Sequence, residues 1–173
     1  FILDGYGLIT NYHVTEDGNF FKVYRYPDFQ NDFIYDISKH TNEIKSNIDI
    51  DYALYKIAGS HKSFKLGNSE SLKRGESVII IGYPDFQTGD SPYVQKCEIT
   101  GTTTYFGDFL YTVSGRIGKG ASGGIVLNEQ NQIVGIIKGG VVNIDNILEE
   151  STNTKQGFVP MHLILSNIAI PSI

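Results

Sequence analysis

Three residues of this chain have the types and settings to carry nucleophilic chemistry together. Ser122 lies in Gly118-Lys119-Gly120-Ala121-Ser122-Gly123-Gly124, between the apolar runs Phe109 to Val113 and Ile125 to Leu127. Glycines on both sides of one small hydroxyl residue let the backbone fold tightly around it and let another chain approach closely. Such a turn can aim the N–H groups of Gly120 and Ser122 at one point, as a developing oxyanion requires. A serine hydroxyl is a weak nucleophile at neutral pH. It needs a base to take its proton and a third group to hold that base. Alone, the stretch reads equally well as a flexible turn, so the base and its holder decide the matter.

His13 follows Leu8-Ile9-Thr10-Asn11-Tyr12. An imidazole just past an apolar strand sits at a rim, half-shielded, where it can exchange a proton near neutrality. His40 and His61 stand in polar stretches and His162 near the terminal helix, which suits surface or capping roles. Asp51 precedes Tyr52-Ala53-Leu54. A carboxylate at the mouth of an apolar strand is costly to bury without a partner, and an imidazole N–H is a suitable one. Asp49, two residues earlier on the same strand face, is the rival, and two solvated acids are the plainer alternative. Cys97 lies within a strand pattern and reads as an ordinary strand thiol.

The elements that must hold these residues read as strands. Phe1 to Asp4, Leu8 to Tyr12, Phe20 to Tyr26, Phe33 to Ile37, Ile48 to Ile57, Ser77 to Ile81, Tyr93 to Tyr105, Phe109 to Ser114, Ile125 to Leu127 and Ile133 to Val142 are apolar, alternating or β-branched runs. Gly5 and Gly7 suit a hairpin turn. Ser38 to Asn47 reads as loop or edge, Pro27 to Asp32 as loop, and Asn143 to Gln156 as a long acidic and amide-rich loop. Helical character is confined to Met161 to Ile168, after Pro160, with Ile164 and Ile168 on one face. The expected class is all-β: two six-stranded-type antiparallel barrels with a short C-terminal helix. The lobe boundary is placed near the polar Gly59 to Ser63 bridge, giving one domain over 1–173 with lobes 1–62 and 63–173.

Composition agrees. The 173 residues include 11 Tyr, 10 Phe and 19 Gly, a turn-rich, strand-favouring mixture. Lys plus Arg number 14 and Asp plus Glu 19, a net charge of -5 with no basic run, so neither nucleic acid nor an anionic membrane is expected as partner. One cysteine rules out an internal disulfide and is compatible with the cytoplasm, leaving the compartment open. No run is apolar and long enough to span a membrane, and none reads as a signal peptide. Phe1-Ile2-Leu3 reads as the interior of a strand, so an upstream segment is expected.

The order His, Asp, Ser is that of the two-barrel trypsin-like proteases. The chain resembles that superfamily, and most its HtrA/Deg-type branch, along nearly its whole length. The resemblance rests on Phe1 to Val14 around the histidine and Asp51-Tyr52-Ala53-Leu54-Tyr55-Lys56-Ile57 around the aspartate. It continues through Leu66-Gly67-Asn68-Ser69, Gly75-Glu76-Ser77-Val78 and Ile81-Gly82-Tyr83-Pro84, and reaches the serine at Gly120-Ala121-Ser122-Gly123-Gly124. Ile133-Val134-Gly135-Ile136-Ile137 resembles the strand beside the specificity pocket, and Gly157-Phe158-Val159-Pro160 the segment leading to the terminal helix.

What the resemblance implies is a serine endopeptidase. Ser122 attacks, His13 shuttles the proton, Asp51 orients His13, and the N–H groups of Gly120 and Ser122 hold the oxyanion. No metal or organic cofactor is implied. The partner is a protein or peptide substrate, with a regulatory domain or partner as an addition. Arg116, Ile137, Lys138 and Gly139 are the expected substrate-binding residues. If Arg116 or Lys138 reaches the pocket, acidic side chains before the scissile bond are favoured; the alternative is that both point to solvent. Ala121 stands where secreted relatives place an aspartate that captures a new N-terminal ammonium, so activation by that ion pair is not expected. The competing function is a catalytically inactive fold of the same kind, serving as a binding or regulatory module.

Overall fold

The computed structural model describes residues 1–25, 33–105, 107–141 and 155–169. The expected Pro27 to Asp32 loop and nearly all of the Asn143 to Gln156 loop lie outside the described residues. In chain order the strands are β1 (Ile2–Leu3), β2 (Gly7–Thr10), β3 (Phe20–Tyr24), β4 (Phe33–Ser38), β5 (Glu43–Asn47) and β6 (Tyr52–Tyr55). They continue as β7 (Ser77–Gly82), β8 (Tyr93–Tyr105), β9 (Asp108–Val113), β10 (Ile125–Leu127), β11 (Ile133–Val141) and β12 (Lys155–Pro160). The helices among the described residues are α1 (Tyr12–Thr15), α2 (Lys39–Asn42) and α3 (Met161–Ala169).

The second half of the chain closes a six-stranded barrel in the order β10-β11-β12-β9-β8-β7. Its interior is built by alternation. Val78 and Ile80 of β7 point inward with Ile99, Val113, Val126, Val134 and Phe158. Closure depends on β12, which bridges β11 and β9. Gly135 of β11 lies where an added Cβ would run into the Phe158 ring, so only glycine lets that ring cross the barrel.

The first half forms no second barrel among the described residues, which corrects the two-barrel expectation. It holds a four-stranded sheet, β1-β2-β6-β5, and a separate hairpin of β3 and β4. The reason is visible in the strands. β1 has only two residues, and β5 is polar apart from Ile44, whose side chain is exposed, so the two edges offer little apolar surface to close over. The hairpin instead packs on the sheet, with Phe21, Val23 and Ile37 against Leu8, Ala53 and Tyr55. The Phe21 and Tyr55 rings meet edge to face at 4.9 Å.

Sheet and barrel share one core. Leu3, Ile9, Tyr52 and Leu54 pack with Ile125, Ile136 and Met161 in a single buried cluster. The expected C-terminal helix is present, with Met161 and Ile164 fully buried. It ties the halves together by hydrogen bonds as well: Tyr52 Oη donates to Asn167 Oδ1 at 2.6 Å, and Lys45 Nζ to the Asn167 carbonyl at 2.6 Å. At its other end Ser69 Oγ accepts the His162 N–H at 2.8 Å, satisfying a helix N-terminal donor from outside the helix. The same hydroxyl lies 2.9 Å from His162 Nδ1, so this second Ser–His pair is a buried cap.

Local expectations change as well: single helical turns form outside the C-terminal segment, at α1 and α2, and Lys155–Pro160 is a strand. His13 does not end a strand; it sits in the single turn of α1, just after β2. Ile48 to Asp51 is a turn, with β6 beginning at Tyr52. Asn47 Oδ1 accepts the Ile50 N–H at 2.7 Å, a local bond that competes with strand pairing.

Candidate active site

Asp51 ends that turn at φ +60°, a left-handed conformation that aspartate tolerates better than most residues. The turn throws its carboxylate back over α1. Asp51 is 4% exposed. Its Oδ2 lies 2.8 Å and its Oδ1 3.0 Å from His13 Nδ1, and Oδ1 also accepts the His13 backbone N–H at 3.1 Å. The helix that carries His13 is anchored a second time through Thr15, whose Oγ1 accepts the Tyr55 hydroxyl at 2.9 Å.

Burial pushes the Asp51 carboxyl up. The hydrogen bonds from the His13 ring and backbone, and the charges of His13 and Lys138, outweigh it and hold the group below its ordinary 3.8. An ionised carboxylate can only accept, so His13 Nδ1 carries a proton and donates it. Nε2 is then the free, basic nitrogen. The His13 side chain is 43% exposed, so that edge is open to a reacting group.

Lys138 of β11 is the second cation at Asp51. Its side chain is 16% exposed and its Nζ lies 3.7 Å from Asp51 Oδ2. It therefore faces the carboxylate rather than open solvent. Arg116 is exposed, and its backbone N–H donates to Gln95 Oε1 at 3.1 Å. The Ile137 side chain lies in the barrel core. Its backbone serves the serine turn instead: Ile137 N–H donates to the Gly124 carbonyl at 2.9 Å, and its carbonyl accepts Gly123 N–H at 3.1 Å. Gly139 is in β11, opposite Gly157. Asp49 is not among the partners of His13.

The turn with Ser122 joins β9 to β10 and is held both from outside and by bonds of its own. Ile117 N–H donates to Gln156 Oε1 at 3.0 Å, and Gly123 N–H to Asn11 Oδ1 at 2.6 Å. Ala121 N–H goes to the Gly118 carbonyl at 3.3 Å and Gly124 N–H to the Ala121 carbonyl at 3.0 Å. The N–H groups of Ala121, Gly123 and Gly124 are thus engaged. Those of Gly120 and Ser122 have no hydrogen-bond partner among the described residues. Gly120 has φ +84°, and the carbonyl before it, on Lys119, accepts Asp85 N–H at 2.8 Å. In a trans peptide the N–H points opposite the carbonyl, so this bond turns Gly120 N–H away from Asp85.

Ser122 is half-buried and borders a cavity of about 520 Å³ between sheet and barrel, also lined by Thr10, Tyr24, Lys62 and Tyr83. Among the described residues its hydroxyl forms no hydrogen bond to His13. Cys97 is buried in the barrel, where desolvation pushes its thiol up, as expected of an inert strand cysteine. No three metal-ligating side chains gather among the described residues. No described helix is long and apolar enough to cross a membrane. The residues the sequence reading missed are Asn11, Asp85, Gln95 and Gln156. Of these only Asn11 left a signal, as an amide directly after the apolar β2.

The model of the trypsin-like peptidase domain family matches residues 1–136, and the chain belongs to that family. No curated protein sequence matches it significantly. Among solved structures, the HtrA-type protease AlgW with a decapeptide superposes at a TM-score of 0.72 with 20% identity, covering 96% of this chain and 49% of that one. The active form of the Rv3671c protease from M. tuberculosis gives 0.71 with 20% identity, covering 99% of this chain and 73% of that one. The MamO protease domain from Magnetospirillum magneticum gives 0.63 with 18% identity, covering 98% and 85%. The chain thus shares the fold of HtrA-type proteases and spans about half the length of those it matches first.

Proposed function

We propose that this chain is the peptidase domain of a serine endopeptidase, cleaving peptide bonds of proteins through an acyl-enzyme. In this reading 1–173 is one domain with lobes 1–62 and 63–173. Ser122 Oγ attacks the scissile carbonyl while His13 Nε2 takes its proton. Asp51 holds the imidazole in the tautomer that leaves Nε2 bare and stabilises the imidazolium that forms. The carbonyl oxygen becomes an oxyanion between the N–H groups of Gly120 and Ser122. His13 returns the proton to the leaving amine, and water then releases the acyl group by the same steps in reverse roles. Arg116, Lys138 and Gly139 border the residue before the scissile bond, with the Ile137 backbone behind them.

The observation that carries this reading is a pattern of use. Within the serine turn, the amides a fold needs are engaged, and the two that an oxyanion needs are not. They stand on the turn that Asn11 links to the His13–Asp51 pair. The absence of a His13–Ser122 hydrogen bond among the described residues fits a free enzyme, since catalytic hydrogen bonds often tighten only when substrate is bound. It also fits the second reading, an inactive binding module.

The test is proteolysis of an unfolded protein substrate, with new termini identified by mass spectrometry. New termini with the parent and none with Ser122→Ala support the endopeptidase. Equal termini with both, or none with either, count against it.

A further inference from the structure

Asn11 is the residue before α1, a position where asparagine usually caps a helix with its side chain. Here it makes no cap hydrogen bond. The Asp51 carboxylate takes over that work, accepting the His13 N–H at 3.1 Å. The Asn11 amide is fully buried and turned the other way. Its Oδ1 accepts Gly123 N–H at 2.6 Å, and its Nδ2 donates to the Asp51 carbonyl at 2.9 Å. One side chain therefore joins three segments: the turn of Asp51, the helix of His13 two residues on, and the residue after Ser122. The seat is close-fitting, because a Cβ on Gly123 would run into Thr10 Oγ1. Gly123 N–H also reaches the Ile137 carbonyl at 3.1 Å, so the turn has its own tie within the barrel. What Asn11 adds is the tie across to the His13 side.

We propose that Asn11 is a positioning residue that sets the distance between Ser122 and the His13–Asp51 pair across the junction of sheet and barrel. The inference rests on the endopeptidase reading. A buried amide with both ends satisfied fixes both neighbours: without it the Asp51 carbonyl loses this donor and Gly123 N–H is held only from within the barrel. Misplacing a nucleophile by about 1 Å can lower a rate about 10²-fold without changing what binds.

The experiment is the kinetics of inactivation by a fluorophosphonate for the parent, Asn11→Leu and Asn11→Asp, each measured well below its own melting midpoint. Asn11→Leu keeps the volume and loses both bonds. Its maximal inactivation rate is expected to fall about 10²-fold, with the half-saturating concentration unchanged. Asn11→Asp keeps the acceptor for Gly123 N–H and is expected to fall less. A parent-like maximal rate in folded Asn11→Leu overturns the proposal, because a merely structural role lowers the melting midpoint alone. A second measurement needs no variant: the scalar coupling across the hydrogen bond from Gly123 nitrogen to the Asn11 side-chain carbonyl carbon, in the parent. It is expected to be observed, and its absence overturns the proposal whatever the variants do. A parent that reacts with no fluorophosphonate while showing the coupling is a different result. It overturns the endopeptidase reading, and with it the effect of Asn11 on catalysis, but leaves the Asn11 link between the two sides in place.

Discussion

Asp51 is the residue on which most of the site's electrostatics converge. It accepts from the His13 ring, accepts from the His13 backbone and faces the Lys138 ammonium. Asp51→Asn should lower kcat/KM by about 10⁴-fold, because the amide favours the wrong imidazole tautomer. Its carboxyl is depressed below the ordinary 3.8, which fixes the sign of its stability term. The stabilisation is fully present above that value and is lost as pH falls below it through the folded value. The difference in unfolding free energy between parent and Asp51→Asn should therefore shrink below pH 3.8, measured by urea denaturation across an acid series. Lys138→Met removes one of the charges that depress the carboxyl. The Asp51 midpoint, followed by carboxyl carbon NMR, should rise relative to the parent; an unchanged midpoint would show that Lys138 is screened from it.

The elements do the positioning, and two substitutions probe them. Gly123 has φ +83°, and its missing Cβ is the space that Thr10 occupies. Gly123→Ala should cost about 1–2 kcal/mol for the left-handed backbone, with the clash added to it, read from the urea midpoint. Tyr52 joins β6 to α3 through Asn167, and burial pushes its hydroxyl up to about 12. A group raised in the fold stabilises below its unfolded value, and that contribution is lost as pH rises from 10 towards 12. Tyr52→Phe should cost about 1 kcal/mol at neutral pH for the lost bond, and its stability should fall less steeply than the parent's above pH 10. At this scale the sequence was partly legible. The barrel strands other than β12 follow from their apolar, alternating runs, and α3 from a 3.6-residue face. Ile48 to Asp51 alternates like a strand but is a turn. Two apolar residues two apart cannot distinguish the cases, and Ile48 is in fact 63% exposed. β12 was hidden because Gly157 and Pro160 read as punctuation, although its closure of the barrel needs that glycine: a Cβ there would meet the Tyr111 carbonyl.

Among the described residues a barrel and an open sheet share a core, a hairpin packs beside the sheet, and the candidate site lies where sheet and barrel meet. The His13–Asp51 pair was legible because each residue stands in a distinctive local setting, and the candidate Ser122 was singled out by its glycine frame and by the order of the three along the chain. That the first half stays open was not legible, because closure depends on whether edge strands meet in space, which local alternation does not report. Nor was Asn11's role, since its partners lie 40 and 112 residues away. Lys138 was legible as an unusual cation near the site, but not as a neighbour of Asp51.

The central claim is that Ser122 is an activated nucleophile. The most direct measurement is reaction of the folded protein with a fluorophosphonate, followed by peptide mapping, with Ser122→Ala alongside. Modification of the Ser122 peptide in the parent and of no peptide in the variant is the predicted result. A folded parent that stays unmodified, or one modified equally in both proteins, would contradict it.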